Sequence, residues 1–248
     1  MINVLTLKVG DKYSSEYVNN LYNSLLANTT EEFNFFCYTE DGSNLNPNIK
    51  VIDLEDPNQF KLQWHKIKFH KTGFANIKKG ERCLILDIDW IIVSNLDPIM
   101  KHKLEDSQFG CFERWWSNRR DLCLINGGFQ MYNMGDTNHL WEKFSSNPKH
   151  WQEYYINNGL ADGPVNGEQN FIDENAGDNR YWFPMSWFAK YSSEDVVKIQ
   201  RNWNRDVDPL EPYYLGGEFH EDIKMVHFSN ADNLIHKSGE DWINEYWN

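Results

Sequence analysis

The chain has 248 residues, enough for one α/β domain whose core needs no disulfide or metal staple. Its formal net charge of −13 argues against nucleic acid or an anionic membrane as the main partner, because both call for a basic surface. No apolar run approaches the roughly 18 residues of a membrane span.

Residues 2–7 read as an apolar first strand, and residues 1–8 lack the charged leader and cleavage site of a signal peptide. Val18, Leu21, Tyr22, Leu25 and Leu26 then fall at the spacing of an amphipathic helix. Phe33, Phe35 and Cys37 alternate as in a strand, and so do Ile49 and Val51 ahead of Asp53. A second helical pattern covers 61–77, with Trp64, Ile67 and Phe74 apolar among lysines and histidines, and a strand over 83–87 follows. This β-α-β-β-α-β order predicts an open α/β sheet with helices on its faces. Asp97 is placed as the N-cap of a short helix with Pro98 at its first position. Farther on come strands near 108–113 and 123–133 and a helix near 137–146. An irregular aromatic- and glycine-rich stretch over 148–220, a strand over 223–228 and a terminal helix over 239–247 complete the chain. Cys37, Cys83, Cys111 and Cys123 lack metal-binding spacing and read as reduced core thiols, which predicts a cytoplasmic protein. The eleven tryptophans are read mainly as core.

The most informative stretch runs from Cys83 to Val93, where Asp87 and Asp89 interrupt an otherwise apolar sequence. A buried strand has no use for carboxylates unless something positive meets them. Residues i and i+2 of an extended segment face one side, so the two aspartates can converge on a divalent cation. The plain alternative is a strand end whose aspartates cap the next turn.

Strand, Asp-x-Asp, a short apolar stretch and then Asn95-Leu96-Asp97-Pro98-Ile99 resemble the nucleotide-sugar-dependent glycosyltransferases of the GT-A fold. The nearest resemblance is to the glycogenin and bacterial galactosyltransferase group. Gly10-Asp11-Lys12-Tyr13, ahead of a helix holding Asn23-Ser24-Leu25-Leu26, is similar to that group's nucleotide-binding opening. Ile125 to Asn133, with Asn126-Gly127-Gly128 inside it, resembles its Asn-small-Gly strand, and Gly167-Glu168-Gln169-Asn170 its carboxylate-Gln motif. Val226-His227-Phe228 and Lys237 resemble its metal-binding histidine and phosphate-binding lysine. The group's Gly-x-x-Lys-Pro-Trp run is replaced here by residues 233–239 with Trp242 later, which leaves Lys237 and His236 as rivals for the phosphate role.

The resemblance covers about the whole chain. It implies a Rossmann-like GT-A domain over 1–248, with a mixed, mostly parallel sheet, a nucleotide-binding half (1–100) and an acceptor-side half (101–248). It also implies a metal held by Asp87, Asp89 and His227, for which a histidine beside two carboxylates favours Mn²⁺, with Mg²⁺ the alternative. The donor-binding set it implies is Thr6, Lys8, Tyr13, Lys66, Asp87, Ile88, Asp89, Gly127, Gly128 and Lys237; Tyr17 is a second candidate for stacking on the base, and Asp53 and Lys66 are weaker ones for the nucleoside. Asn126, Glu168 and Gln169 are the catalytic candidates, and the segments 114–120 and 180–188 are candidates to frame the acceptor. The expected partners are a nucleotide sugar, with UDP-sugar favoured, and a glycan or other hydroxyl acceptor, with sugar transfer by retention. Two rivals stand beside this reading. A haloacid-dehalogenase-like phosphatase also opens on Asp-x-Asp, and a binding module that has lost catalysis would keep the ligands without turnover.

Overall fold

A computed structural model describes residues 1–115, 117, 119–161, 166–191, 214–215, 218–219, 221–228, 234–237 and 241–247. In chain order the first strands are β1 (Ile2–Lys8), β2 (Phe33–Thr39), β3 (Lys50–Asp53), β4 (Arg82–Leu86), β5 (Trp90–Ile92) and β6 (Phe109–Cys111). They are followed by β7 (Phe129–Asn133), β8 (Arg180–Trp182), β9 (Phe188–Lys190), β10 (Tyr214–Leu215), β11 (Glu218–Phe219) and β12 (Met225–His227). The α-helices are α1 (Ser15–Asn28), α2 (Asp97–Met100), α3 (Asn138–Ser146), α4 (Pro148–Asn157), α5 (Glu168–Asn175) and α6 (Ile243–Tyr246).

Seven strands form the central sheet in the order β3-β2-β1-β4-β7-β6-β8. β3, β2, β1 and β4 are mutually parallel, β7 is antiparallel to both β4 and β6, and β8 is parallel to β6. The sheet is thus mixed and mostly parallel, as expected. Both faces are covered, which is why β1 and β4 read as continuous apolar runs. Val4, Leu84 and Leu86 pack with Tyr17, Leu21 and Leu25 of α1 and with Trp90 and Val226 of the second sheet. Leu5, Leu7 and Ile85, pointing the other way, pack with Trp64, Phe69, Phe144 and Phe171. The second sheet has the order β5-β12-β9 and carries one side of the site.

Four expectations need correction. The 61–77 segment is a 3-10 helix over Leu62–His70 and a short turn, Phe74–Asn76, not an α-helix. Trp64, Ile67 and His70, all buried, stand three residues apart, the repeat of that tighter helix. Asp97 is not the cap of α2; the Asn95 side chain accepts the Asp97 N–H at 2.8 Å. The Asp97 carboxylate instead accepts from the Thr29 hydroxyl at 2.8 Å and the Thr30 N–H at 2.7 Å, tying α2 to the end of α1. The described part of 148–220 holds α4, α5, β8 and β9, while 162–165 and 192–213 lie outside the described residues; Asn147 followed by Pro148 marks the start of α4, and the Asn147 side chain accepts the His150 N–H. The terminal helix is confined to α6, while 238–240 and 248 lie outside the described residues. Leu26, at the edge of the α1 stripe, is exposed.

All four cysteines are buried thiols outside any disulfide. Burial pushes the Cys37, Cys83 and Cys111 thiols up to about 12, so they behave as core groups. No helix among the described residues is long and apolar enough to cross a membrane.

Trp64 seats the 3-10 helix by stacking on Phe144 at 5.3 Å between ring centroids, and its indole N–H has no hydrogen-bond partner. Trp64→Ala should therefore lower the unfolding free energy by about 3–5 kcal/mol in urea titrations. Trp64→Phe keeps an aromatic ring there, loses no hydrogen bond and should cost much less. Equal losses in the two variants would show that an aromatic ring stacked on Phe144 contributes nothing at this position.

Candidate active site

The strand order reverses between β1 and β4, since the chain continues from β1 to β2 on one side and β4 lies on the other. In open α/β sheets the crevice outside the carboxyl ends of the strands at such a point receives ligands. Asp87 follows β4 there, and its N–H donates to the Gly128 carbonyl at 3.0 Å. The turn through Asp89 feeds β5, which pairs antiparallel with β12 so that His227 stands opposite Trp90. The Phe228 N–H donates to the Asp89 carbonyl at 2.9 Å, closing the pairing beside the turn. His227 Nε2 thereby comes within 3.1 Å of Asp89 Oδ1. Asp87, Asp89 and His227 each offer an atom within 4.8 Å of the others.

Beneath them lies a buried ammonium. Lys66 Nζ donates to Asp87 Oδ1 at 3.0 Å, to Asp87 Oδ2 at 3.2 Å and to the Gly127 carbonyl at 3.1 Å. Glu168 Oε2 is 3.6 Å away on its other side. Burial alone would lower the Lys66 pKa, but the Asp87 and Glu168 carboxylates reverse that and keep the ammonium charged. Glu168, 3% exposed and with no partner for Oε1, has only a share of that ammonium. Its burial outweighs the pull of Lys66, and Asp87 adds to the effect, so its carboxyl is pushed up to about 7. Asp89 goes the other way: burial opposes its charge, but His227 first, then Lys12 and Lys66, hold it below the ordinary carboxylate value.

The two glycines allow this close approach. A Cβ on Gly128 would lie 2.7 Å from Asp87 Oδ2, and one on Gly127 would lie 2.7 Å from Gln169 Cβ. The Gly127 N–H donates to Gln169 Oε1 at 3.3 Å, and the Gly128 N–H to Asn126 Oδ1 at 2.9 Å. Asn126 is buried, and its amide nitrogen lies 3.3 Å from His227 Nδ1. The Tyr13 hydroxyl donates to Asp89 Oδ2 at 3.2 Å, with the Lys12 ammonium 4.5 Å from its ring centre. Burial and the Asp89 charge push the Tyr13 phenol well above its usual pKa.

Other expected site residues lie farther from this centre or are engaged elsewhere. Thr6 and Lys8 are buried on β1 toward the crevice end, the Thr6 hydroxyl without a partner. Ile88 buries its side chain in the core. Tyr17 is a core residue whose hydroxyl lies 2.9 Å from His236 Nδ1, which turns His236 toward α1. Lys237 is exposed on the short turn Ile235–Lys237, and Asp53 is exposed at the end of β3. In the 114–120 loop, Arg114 donates to the Cys123 carbonyl at 3.0 Å and Arg119 to the Ala161 carbonyl at 2.8 Å, while Arg120 pairs with Glu113. These arginines hold the loop's shape; Trp116 and Asn118 lie outside the described residues. Arg180 is paired with Asp173, and Trp182 is exposed beside it.

The donor set fits a divalent cation: two carboxylates and an imidazole brought together at the mouth of a sheet.

No protein-family model matches the chain, and no curated protein does. Solved structures do match. An active-site mutant of LgtC aligns over 99% of this chain and 93% of its own, with a TM-score of 0.61 at 15% identity. The galactosyltransferase LgtC in complex with donor and acceptor sugar analogs aligns over 93% and 87%, with a TM-score of 0.59 at 13% identity. The bifunctional glycosyltransferase WbbM covers 98% of this chain with half of its own length, at a TM-score of 0.54 and 10% identity. This is the GT-A fold. The sheet order described above is therefore that of a GT-A fold.

Glu168 makes the site's electrostatics testable through stability. Its carboxyl rises from 4.5 to about 7 on folding. The stabilisation from that group is therefore full below the unfolded value and lost as pH rises through about 7. In chelator, wild type should lose about 2–3 kcal/mol relative to Glu168→Gln between pH 5 and 8.5. A difference between the two proteins that stays constant with pH would mean that Glu168 is ionised throughout.

Proposed function

We propose that this chain is a metal-dependent glycosyltransferase that moves a sugar from a nucleotide-sugar donor, a UDP-sugar, to a hydroxyl of a glycan or other acceptor. The observation that carries this reading is the convergence of Asp87, Asp89 and His227 at the switch point of a GT-A sheet. The likeness to LgtC, a galactosyltransferase solved with donor and acceptor sugar analogs, supports the same class of chemistry.

Asp87, Asp89 and His227 would hold Mn²⁺, which would supply Lewis-acid neutralisation of the departing diphosphate. An imidazole beside two carboxylates favours Mn²⁺ over Mg²⁺. Tyr13, Thr6 and Lys8 take the base side, since all three belong to β1 or the loop that leaves it. Gly127 and Gly128 let the backbone approach the donor sugar where any side chain would collide. Asn126 holds that backbone and His227 in place. Lys237 keeps the diphosphate role as a mobile point charge, because His236 is already engaged by Tyr17.

Glu168 and Gln169 separate the two stereochemical outcomes. A base that deprotonates the acceptor hydroxyl must be open to it. Glu168 is buried and faces Lys66, which favours a donor-side supporting role and hence retention. Gln169, fixed by the Gly127 N–H, then offers a neutral amide beside the reacting carbon.

Two measurements test the proposal. UDP-sugars should raise the melting temperature only when Mn²⁺ is present, by mass action on the native state. Asp89→Asn should remove that dependence and cut transfer roughly 10²-fold or more while leaving the far-UV spectrum unchanged. Near-wild-type turnover of this variant in Mn²⁺ would overturn the metal assignment. Proton NMR of the first-formed product should show the donor's anomeric configuration. An inverted product would make Glu168 the catalytic base instead.

A further inference from the structure

Trp90 directly follows the second aspartate, and any apolar residue there would fill the core. Its surroundings are more particular than that. The Trp90 ring lies parallel to the His227 imidazole, 4.2 Å between centroids and 17° between planes. The register places the two residues directly opposite each other on antiparallel strands, so the stack is a cross-strand pair. The indole N–H donates to the Gly128 carbonyl at 2.9 Å, the same oxygen that accepts the Asp87 N–H at 3.0 Å. Phe112 and Phe188 pack against the ring from outside at 6.0 and 6.1 Å, and Trp90 is 1% exposed. One rigid indole thus touches His227 through its face and the Asp87 backbone through a shared acceptor.

We infer that Trp90 is a positioning residue that sets the pose of His227, and through it both the affinity and the metal preference of the site. This rests on the metal reading above. The imidazole is the ligand that distinguishes this site from a pair of carboxylates, so loosening it weakens Mn²⁺ more than Mg²⁺. Outer partners of metal ligands commonly govern affinity by about 10–100-fold.

The test is Mn²⁺ binding to the purified protein, followed by electron paramagnetic resonance, with Mg²⁺ read by competition. Wild type should bind Mn²⁺; if it does not, the metal reading itself fails before Trp90 is at issue. Trp90→Leu should weaken Mn²⁺ about tenfold or more and Mg²⁺ markedly less, so the preference for Mn²⁺ narrows. Trp90→Phe keeps a ring over the imidazole and should recover most of the affinity; it also serves if the leucine variant does not fold. In a His227→Ala background, replacing Trp90 with Phe or Leu should change Mn²⁺ affinity little. Wild-type Mn²⁺ affinity in a folded Trp90→Leu protein would overturn the inference. So would equal losses for both metals, or a Trp90 effect that survives without His227, because either result means that Trp90 does not act through the imidazole.

Discussion

The site is organised around one buried ammonium. Taking Lys66 out of water is costly unless its charge is answered on every side. Its partners come from three separate parts of the chain: Asp87 after β4, the Gly127 carbonyl before β7 and Glu168 at the start of α5. Lys66 in turn is fixed by the 3-10 helix, whose Trp64 and Phe69 lie in the core. An apolar residue in its place would leave Asp87 and Glu168 facing each other without a counter-charge. The arrangement thus favours geometry over stability, and it fixes the first aspartate before any ligand arrives.

The second aspartate is positioned differently, by the return of the chain. β12 is three residues long, yet its pairing with β5 delivers His227 to Asp89 from the far end of the sequence. That return is anchored against α1 as well. The Ser24 hydroxyl donates to the Tyr246 carbonyl at 3.0 Å, Tyr17 meets Trp247 edge-on at 5.0 Å, and the Tyr17 hydroxyl meets His236. Tyr13, 4.8 Å from Tyr17 between ring centres, touches Asp89 itself. A base stacked on Tyr13 therefore sits one hydrogen bond away from a metal ligand, so the nucleotide side and the metal side of the proposed site share a residue.

Much of this was legible in the sequence, and the failures have physical causes. The parallel strands were readable because burial on both faces makes them continuously apolar. Asp87 and Asp89 stood out because charges inside such a run demand a counter-ion. His227 was readable from its strand context and its resemblance to a known motif. Lys66 was only a weak candidate, because it shares its segment with Lys61, Lys68 and Lys71 and a 3.6-residue template does not show which lysine points inward. A three-residue repeat through Trp64, Ile67 and His70 was the available signal for the 3-10 helix. α4 was announced by Asn147-Pro148, a start signal hidden among aromatic residues. Trp90 was indistinguishable from any apolar residue of β5, since nothing local says that its partner across the sheet is an imidazole.

Charge balance gives the strongest reason for a metal. Lys66 faces Asp87 and Glu168, whose carboxyl burial pushes up to about 7, and Asp89 stands beside His227 at the mouth. The mouth is therefore anionic, within a protein whose formal charge is −13. A diphosphate brought to such a mouth would meet repulsion from the very groups that define the site. A divalent cation reverses the local sign, turning a repulsive pair of aspartates into a receptor for phosphate oxygens. In the proposed reading, the aspartates that would repel the donor without metal would receive it with metal, which would tie donor binding to metal loading.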